Sequence, residues 1–413
     1  MKSTSLDNPI DPNNFDPNNF PNNFPKLKAG ISYFKTEDKF KVFLYVGFKH
    51  RGIELTSEIA PLLLKQLDGT KNLKTIRQAI ALKIESESKN RANHLEQEIT
   101  GILSALYLAG FIEVRSTKFE SVVAGEFAPI NSINLRNRLR AVENLYCWHP
   151  EVTAGRTTQE LIESRRTFAI IIFGRNRLAI TLFSILQASG FNQIKIIDRS
   201  ISPTAAAMAQ IAPDEVCGLA IRGSDVGVRK PLVIADLARN SQLFPMEDLK
   251  FPPIPDFIIS TESAPQETIQ RWMSELIPHL AISKLIENTV EIGPIVIPGR
   301  SPCLNCLSLW RSDQFPHHKE FEFIAALEGT QEKSLEIPSA QVALLAGLIA
   351  IHLIEYSANP VFNPSIDETG AKLIGATQSI NLFDPFSSGI TNNSGSQYRY
   401  WQPHISCGCQ NLI

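Results

Sequence analysis

"GPIVIPGRSPCLNCLSLWRSD", residues 293–313, sets two cysteines three positions apart, directly behind a proline. Alone, Cys303 and Cys306 could be a redox couple, half a metal site or an accident of spacing. The choice turns on whether the chain supplies two further thiols. It does so at its far end, where "ISCGCQ" carries Cys407 and Cys409. Four thiolates close a tetrahedral zinc site that leaves no position for water and does no chemistry of its own. A redox reading of the first pair leaves the second unexplained. We therefore expect structural Zn2+ on Cys303, Cys306, Cys407 and Cys409, a clip that fastens the end of the chain to the segment behind the central sheet. Cys147 and Cys217 stand alone and are expected to be ordinary small residues.

Upstream of the cysteines the pattern is α/β. "TFAIIIFG" (167–174) is a continuous apolar run, as a strand covered on both faces requires. "RLAITLFSILQASG" is an amphipathic helix closed by Gly190, and "NQIKIID" is a second strand ending at Asp198. "KPLVIADL" (230–237), "PDFIISTES", "HLAISKLI" and "TVEIGPIVIPG" are each expected to be strands. The order is that of a Rossmann-like, mostly parallel sheet over residues 166–413.

The first turn of this unit is "GRNRLA". A dinucleotide or ATP turn uses glycines so that backbone N–H groups approach phosphate at a helix N-terminus. Gly174 and Ala179 match the outer positions of G-x-G-x-x-G/A, whereas Asn176 replaces the middle glycine and crowds the phosphate seat. Asp198, 24 residues after Gly174, stands where an acidic ribose ligand is expected. The balance favours a turn that holds no nucleotide.

Residues 30–118 read as a small winged-helix-like α+β domain. "KFKVFLYVG" and "RGIELT" alternate as strands do, three helical segments follow ("SEIAPLLLKQL", "LKTIRQAIALKI", "ANHLEQEITGILSALYLAG"), and "FIEV" reads as a last strand. Residues 1–29, with "PNNF" three times, have little to bury and are expected to be a disordered tail; 119–165 is expected to be a connector. The net charge of −2 gives no sign of a nucleic-acid binder. The most apolar stretch, residues 337–356, carries His352 and Glu355 and falls short of the roughly 20 unbroken apolar residues of a membrane span. We expect a cytoplasmic protein, where cysteines stay reduced.

The degenerate glycine turn, the segment from Gly293 to Asp313 and the terminal C-x-C resemble the ThiF/E1 superfamily, most of all its ocin-ThiF branch, the E1-like partners of azole-forming cyclodehydratases. "GATQSINL" (375–382) is similar to the strand that precedes the last cysteines there. The resemblance covers about residues 166–413 and implies the four zinc ligands named above, a homodimer, and a role in peptide modification (TOMM biosynthesis) beside a YcaO-type partner enzyme. Residues 30–118 resemble the PqqD-like RiPP recognition element found in such proteins, in which a leader peptide adds a strand beside the third strand and packs on the third helix. That likeness implies a peptide groove lined by Arg51, Ile53, Leu55, Leu95, Ile99, Ile102 and Leu106.

Active members of the superfamily adenylate a carboxylate with ATP, using a glycine-rich turn, an arginine finger and an acidic metal ligand. This chain offers "GRNRLA", "DRS", "SPTAAAMAQ" and "STES", and only Asp198 clearly survives. Phosphoryl chemistry depends on placed cations and metal to hold developing charge. The expectation is a pseudo-enzyme without ATP chemistry. The alternatives are an active ThiF-type adenylyltransferase and, from a different class, a nicotinamide-dependent Rossmann oxidoreductase, which the zinc pattern disfavours.

Overall fold

The computed structural model describes residues 22–28, 30–35, 41–46, 51–85, 92–115, 141–142, 145–146, 158–197, 203–241, 250–282, 288–320, 324, 337–358, 371–385 and 396–412. The chain forms two compact units, divided between Gln159 and Glu160.

In the N-terminal unit, β1 (Phe24–Leu27), β2 (Ile31–Lys35), β3 (Lys41–Val46) and β4 (Arg51–Thr56) precede α1 (Ala60–Leu64), α2 (Leu73–Glu85), α3 (Ala92–Leu108) and β5 (Ile112–Arg115). Strands β2, β3 and β4 form an antiparallel sheet in that order. Its register sets Val42 opposite Leu55 and Leu44 opposite Ile53, which makes one face apolar. The helices cover an apolar core that includes Ile76, Ile80, Ile99, Leu103 and Leu106. Ser57 starts the first helix as its residue type allows: its Oγ accepts the amides of Ile59 and Ala60 and donates to Glu98 on α3.

The expected tail needs a correction. Residues 24–27, inside it, are strand β1, paired antiparallel with β5. Averaging composition over 29 residues hid four that have an apolar partner in Ile112 and Val114. Pro25 is accommodated because the ribbon has two strands only, and a proline needs no ladder donor at an edge. Residues 1–21 lie outside the described residues, as does most of the 119–165 connector, whose last part is already helix from Thr158.

The C-terminal unit continues with α4 (Thr158–Thr167), β6 (Ile170–Phe173), α5 (Arg177–Ala188), β7 (Ile194–Ile197), α6 (Pro203–Met208), α7 (Lys230–Ser241), β8 (Phe257–Ser260), α8 (Gln266–Ser274), β9 (His279–Ile282), β10 (Thr289–Val296), α9 (Leu304–Gln314), α10 (Ser339–Ala358), β11 (Ala376–Asn381) and β12 (Ser396–Tyr400). One seven-stranded sheet runs β12-β11-β10-β9-β8-β6-β7. The four strands β7, β6, β8 and β9 are parallel; β10, β11 and β12 extend the sheet antiparallel. The apolar run "IIIF" sits between two parallel neighbours, as its lack of alternation requires.

Residues 230–237, expected to be a strand, are helical, the first part of α7. Val233, Ile234, Leu237 and Ala238 recur at i, i+1, i+4 and i+5, and this stripe packs on apolar residues of the unit. Eight apolar-rich residues carry either period; here the helical one won. Among the described residues, α10 is the one helix long and apolar enough to cross a membrane. It packs against α5 and buries Val342, Leu345, Ile349 and Leu353 in the main core.

Strand β10 carries the irregularity that delivers the cysteines. Its pairing with β9 shifts register between Ile292 and Ile295. There Gly293 has φ +98°, and a Cβ would stand 2.7 Å from the Ala376 carbonyl oxygen on β11. Only glycine lets the strands approach so closely. The chain then turns at Ile297–Ser301, where the fully buried Ser301 hydroxyl accepts the Ile297 amide at 2.7 Å, and enters α9 with Cys303 at its N-cap.

Candidate metal centre and nucleotide turn

Cys303 and Cys306 lie one turn apart at the start of α9, and Cys407 and Cys409 reach them from the C-terminal segment. All four sulfurs lie within 4.8 Å of one another. Three separations are 3.8 Å (303–306), 3.6 Å (303–407) and 3.5 Å (306–409). A tetrahedron with metal–sulfur bonds of about 2.3 Å has edges of about 3.8 Å, whereas a disulfide needs about 2.05 Å. The donor set and its spacing fit a tetrahedral zinc ion and not a disulfide. The thiols also cannot all ionise without a cation. Hydrogen bonding with Cys303 pulls Cys306 down to about 4, the same pairing and burial push Cys303 up, and burial pushes Cys409 up to about 12. One thiolate thus suppresses its neighbours, and a dication would reverse that preference.

The tail is docked on α9 by more than the sulfurs. Trp310 Nε1 donates to the Gln402 carbonyl at 2.8 Å, and the Trp310 ring meets His404 edge-on. His404 accepts the Ser406 amide at Nδ1, which fixes the proton on Nε2, the nitrogen 3.0 Å from Asp313. The His404 carbonyl accepts the Cys407 amide, and Asn305 donates to Cys407 Sγ at 3.3 Å. Arg311 does not pair with Asp313, as nearness in sequence would allow; it pairs with Glu291 and lies over the Trp401 ring. His404 carried no signal in the sequence beyond its nearness to Cys407.

The turn after β6 stands at the C-terminal ends of parallel strands, with β7 on one side of β6 and β8 on the other, where open α/β sheets bind ligands. Three of its backbone amides, those of Gly174, Arg175 and Ala179, have protein partners. The Gly174 amide bonds to the Ile197 carbonyl at 2.8 Å. The Arg175 amide bonds to the Glu262 carboxylate at 3.0 Å. Asn176 is the N-cap of α5: its Oδ1 accepts the Ala179 amide at 2.8 Å and its Nδ2 donates to the Thr261 carbonyl. Gly174 has φ +115°, and a Cβ there would stand 2.4 Å from Thr261 Oγ1. Lys230 completes the surroundings, donating to Glu215 and to the Arg175 carbonyl. Asp198 lies outside the described residues. The sequence reading missed Glu262; its signal is position, two residues beyond the end of a central parallel strand.

The expected peptide-groove residues fall differently. Leu55, Leu95, Ile99, Ile102 and Leu106 are all buried in the N-terminal unit's own core. They do not line a groove, because an i, i+3, i+4, i+7 stripe is what a helix needs merely to cover its sheet. Ile53 is partly buried, and Arg51 is placed by its backbone opposite Val46. The exposed side of α3 carries Glu98, Gly101, Ala105 and Leu108, and among the described residues β4 pairs with β3 alone.

A sheet whose parallel half carries the capped glycine turn is a Rossmann-like α/β fold. Solved structures agree with it. Escherichia coli MccB, determined with AMPCPP and MccA, superposes with a TM-score of 0.52 at 14% identity over 94% of this chain and 99% of that one. E. coli MccB with MccA alone gives 0.51 at 15% identity, covering 94% and 99%. The microcin C7 biosynthetic enzyme MccB with N-formylated MccA gives 0.51 at 14%, again covering 94% and 99%. No protein-family model matches the chain, and no curated protein is significantly similar to it.

Proposed function

We propose that this protein is a catalytically degenerate ThiF/E1-like protein that binds a leader or other peptide and presents it to a partner enzyme of the YcaO type. The observation that carries the reading is the self-occupied turn. Glu262 accepts the Arg175 amide and Asn176 accepts the Ala179 amide, two donors that a phosphate at this turn would use. A negative carboxylate in the anion seat opposes a polyphosphate by charge as well as by space. The MccB structures hold the peptide MccA on a shared fold, which supports a peptide as the ligand of this one.

In this reading the N-terminal unit is a winged-helix-like recognition module. The peptide adds a strand at the free edge of β4, and the exposed side of α3 at Gly101, Ala105 and Leu108 takes its side chains. Zinc on the four cysteines is structural. The E1-like unit forms a homodimer, and the protein works in the cytoplasm.

A second reading is an active ATP-dependent adenylyltransferase. It is favoured by the presence of Lys230, Glu215 and Glu262 around the turn. ATP–pyrophosphate exchange decides between them, measured on the zinc-loaded chain with magnesium and with peptides selected by display against it. The pseudo-enzyme gives no exchange with any selected peptide. Turnover that disappears in Glu262→Ala establishes the adenylyltransferase.

A further inference from the structure

Strand β7 ends the seven-stranded sheet and, among the described residues, pairs with β6 alone. The Gln193 carbonyl accepts the Ile170 amide and the Ile197 carbonyl accepts the Gly174 amide, both at 2.8 Å. Backbone groups alternate in direction along a strand, so those of Gln193, Lys195 and Ile197 point to β6 and those of Ile194 and Ile196 point outward. Among the described residues, none meets the outward N–H and C=O groups of Ile194 and Ile196. A strand edge of this kind is a template for another strand.

A cavity of about 480 Å³ lies along this edge. Ile194 and Ile196 line it from one face of β7 and Lys195 from the other, so it reaches round the strand. Phe183 of α5 and Ile234 and Ala238 of α7 wall its isoleucine side. On the other side, the ammonium of the exposed Lys195 stands 4.2 Å from the centroid of the Phe251 ring, and no described carboxylate pairs with it. The lining holds two cations, Arg175 and Lys195, and no acidic residue.

We propose that this edge binds an extended peptide as an added strand, one that carries an acidic residue between two apolar ones. The strand period dictates that order. Peptide residues beside Ile194 and Ile196 send their side chains to the apolar side of the cavity, and the residue between them sends its side chain to Lys195. A second copy of β7 does not suit the edge: the antiparallel pairing that sets Ile194 opposite Ile196 also sets Lys195 opposite Lys195, and like charges in that position repel. The site uses no group of the sulfur cluster or of the N-terminal unit, so it stands whether or not a peptide binds beside β4.

The test is calorimetric titration of the full-length zinc-loaded protein with the capped heptapeptide Ser-Thr-Ile-Glu-Ile-Thr-Ser. Two relatives serve as controls: one with lysine for glutamate, and one with the three central amides N-methylated. The expected result is binding of the glutamate peptide, weakened about tenfold or more by lysine and abolished by N-methylation. Lys195→Glu reverses the preference between the glutamate and lysine peptides. Ala235→Trp, on the exposed side of the cavity, weakens binding about tenfold or more with the melting temperature unchanged. Gly101→Arg, on the N-terminal unit, leaves binding as it was. Absence of binding at millimolar concentration overturns the proposal. So does equal binding of the glutamate and lysine peptides, undiminished binding of the N-methylated one, or binding that survives Ala235→Trp. Loss of binding in Gly101→Arg also overturns it, by placing the peptide on the N-terminal unit.

Discussion

The Glu262 carboxylate accepts the backbone amide of Arg175 across 3.0 Å, joining the loop behind β8 to the turn behind β6. The protein thus carries its own anion at the place where related folds meet a phosphate. Removing that anion together with the asparagine cap frees the turn. Calorimetry with AMPCPP and magnesium should show no binding to the native protein and measurable binding to the Glu262→Ala, Asn176→Gly double variant, with pyrophosphate exchange absent in both. Native binding that the double variant loses would reverse the assignment. Asn176→Ala alone should cost about 1 kcal/mol, since it removes the cap and leaves no side-chain acceptor for Ala179.

The sulfur cluster predicts one zinc per chain by elemental analysis. Cys306→Ser or Cys409→Ser should lose the metal and several kcal/mol of stability, because binding free energy at a structural zinc site is folding free energy. Cys217→Ala should keep the metal and cost about 1 kcal/mol, as loss of a small buried thiol. Full occupancy in the Cys409 variant would remove the tail from the site.

His279 predicts an acid limb of stability. It is fully buried, its Nδ1 bonds to the Ile277 carbonyl and its Nε2 has no partner. Burial lowers its pKa to about 4, against an ordinary 6.5. Between these values the unfolded chain binds a proton that the folded protein refuses, so stability falls as pH drops from about 6.5 toward 4. The full effect is about 3 kcal/mol, and about 2 is lost by pH 5. Urea unfolding of the zinc-loaded protein at pH 7 and pH 5, compared with His279→Phe, isolates it. Equal acid slopes in the two proteins would contradict the assignment.

Gly293→Ala should destabilise by about 1–3 kcal/mol, since it combines a positive φ with a Cβ 2.7 Å from the Ala376 carbonyl oxygen. It should also lower zinc retention, because the bulge at Gly293 sets the path to Cys303. Chemical denaturation and metal content read the two effects separately. A variant as stable as the native protein would mean the strands can part there freely.

Gly101 tests the peptide surface. A Cβ at this position meets nothing within 4 Å, so Gly101→Arg should leave the melting temperature unchanged or slightly raised, glycine being a poor helix former. Display-selected peptides should no longer bind it. Retained binding would place the peptide away from this side of α3.

Much of this fold was legible without coordinates. The apolar run 167–174, the amphipathic helix closed by Gly190 and the α3 periodicity each became the expected element, because burial on one face or two imposes a period that survives in the residues. The strand expected over 230–237 failed for the same reason turned around: eight mostly apolar residues fit both periods, and their packing on the sheet chose the helix. The strand at 24–27 failed because its partner lies about 90 residues away, at Ile112–Arg115.

The sequence by itself determined most of the elements, their α/β order along the chain, and the four residue types suited to one metal ion. Those follow from local period and donor chemistry. Only the tertiary structure decided that Leu95, Ile99, Ile102 and Leu106 serve a core and not a groove, that Asp313 meets His404, and that Glu262 and Asn176 close the turn. Each of these depends on which distant segment arrives opposite a side chain, and a side chain's own neighbours in the chain carry no record of that.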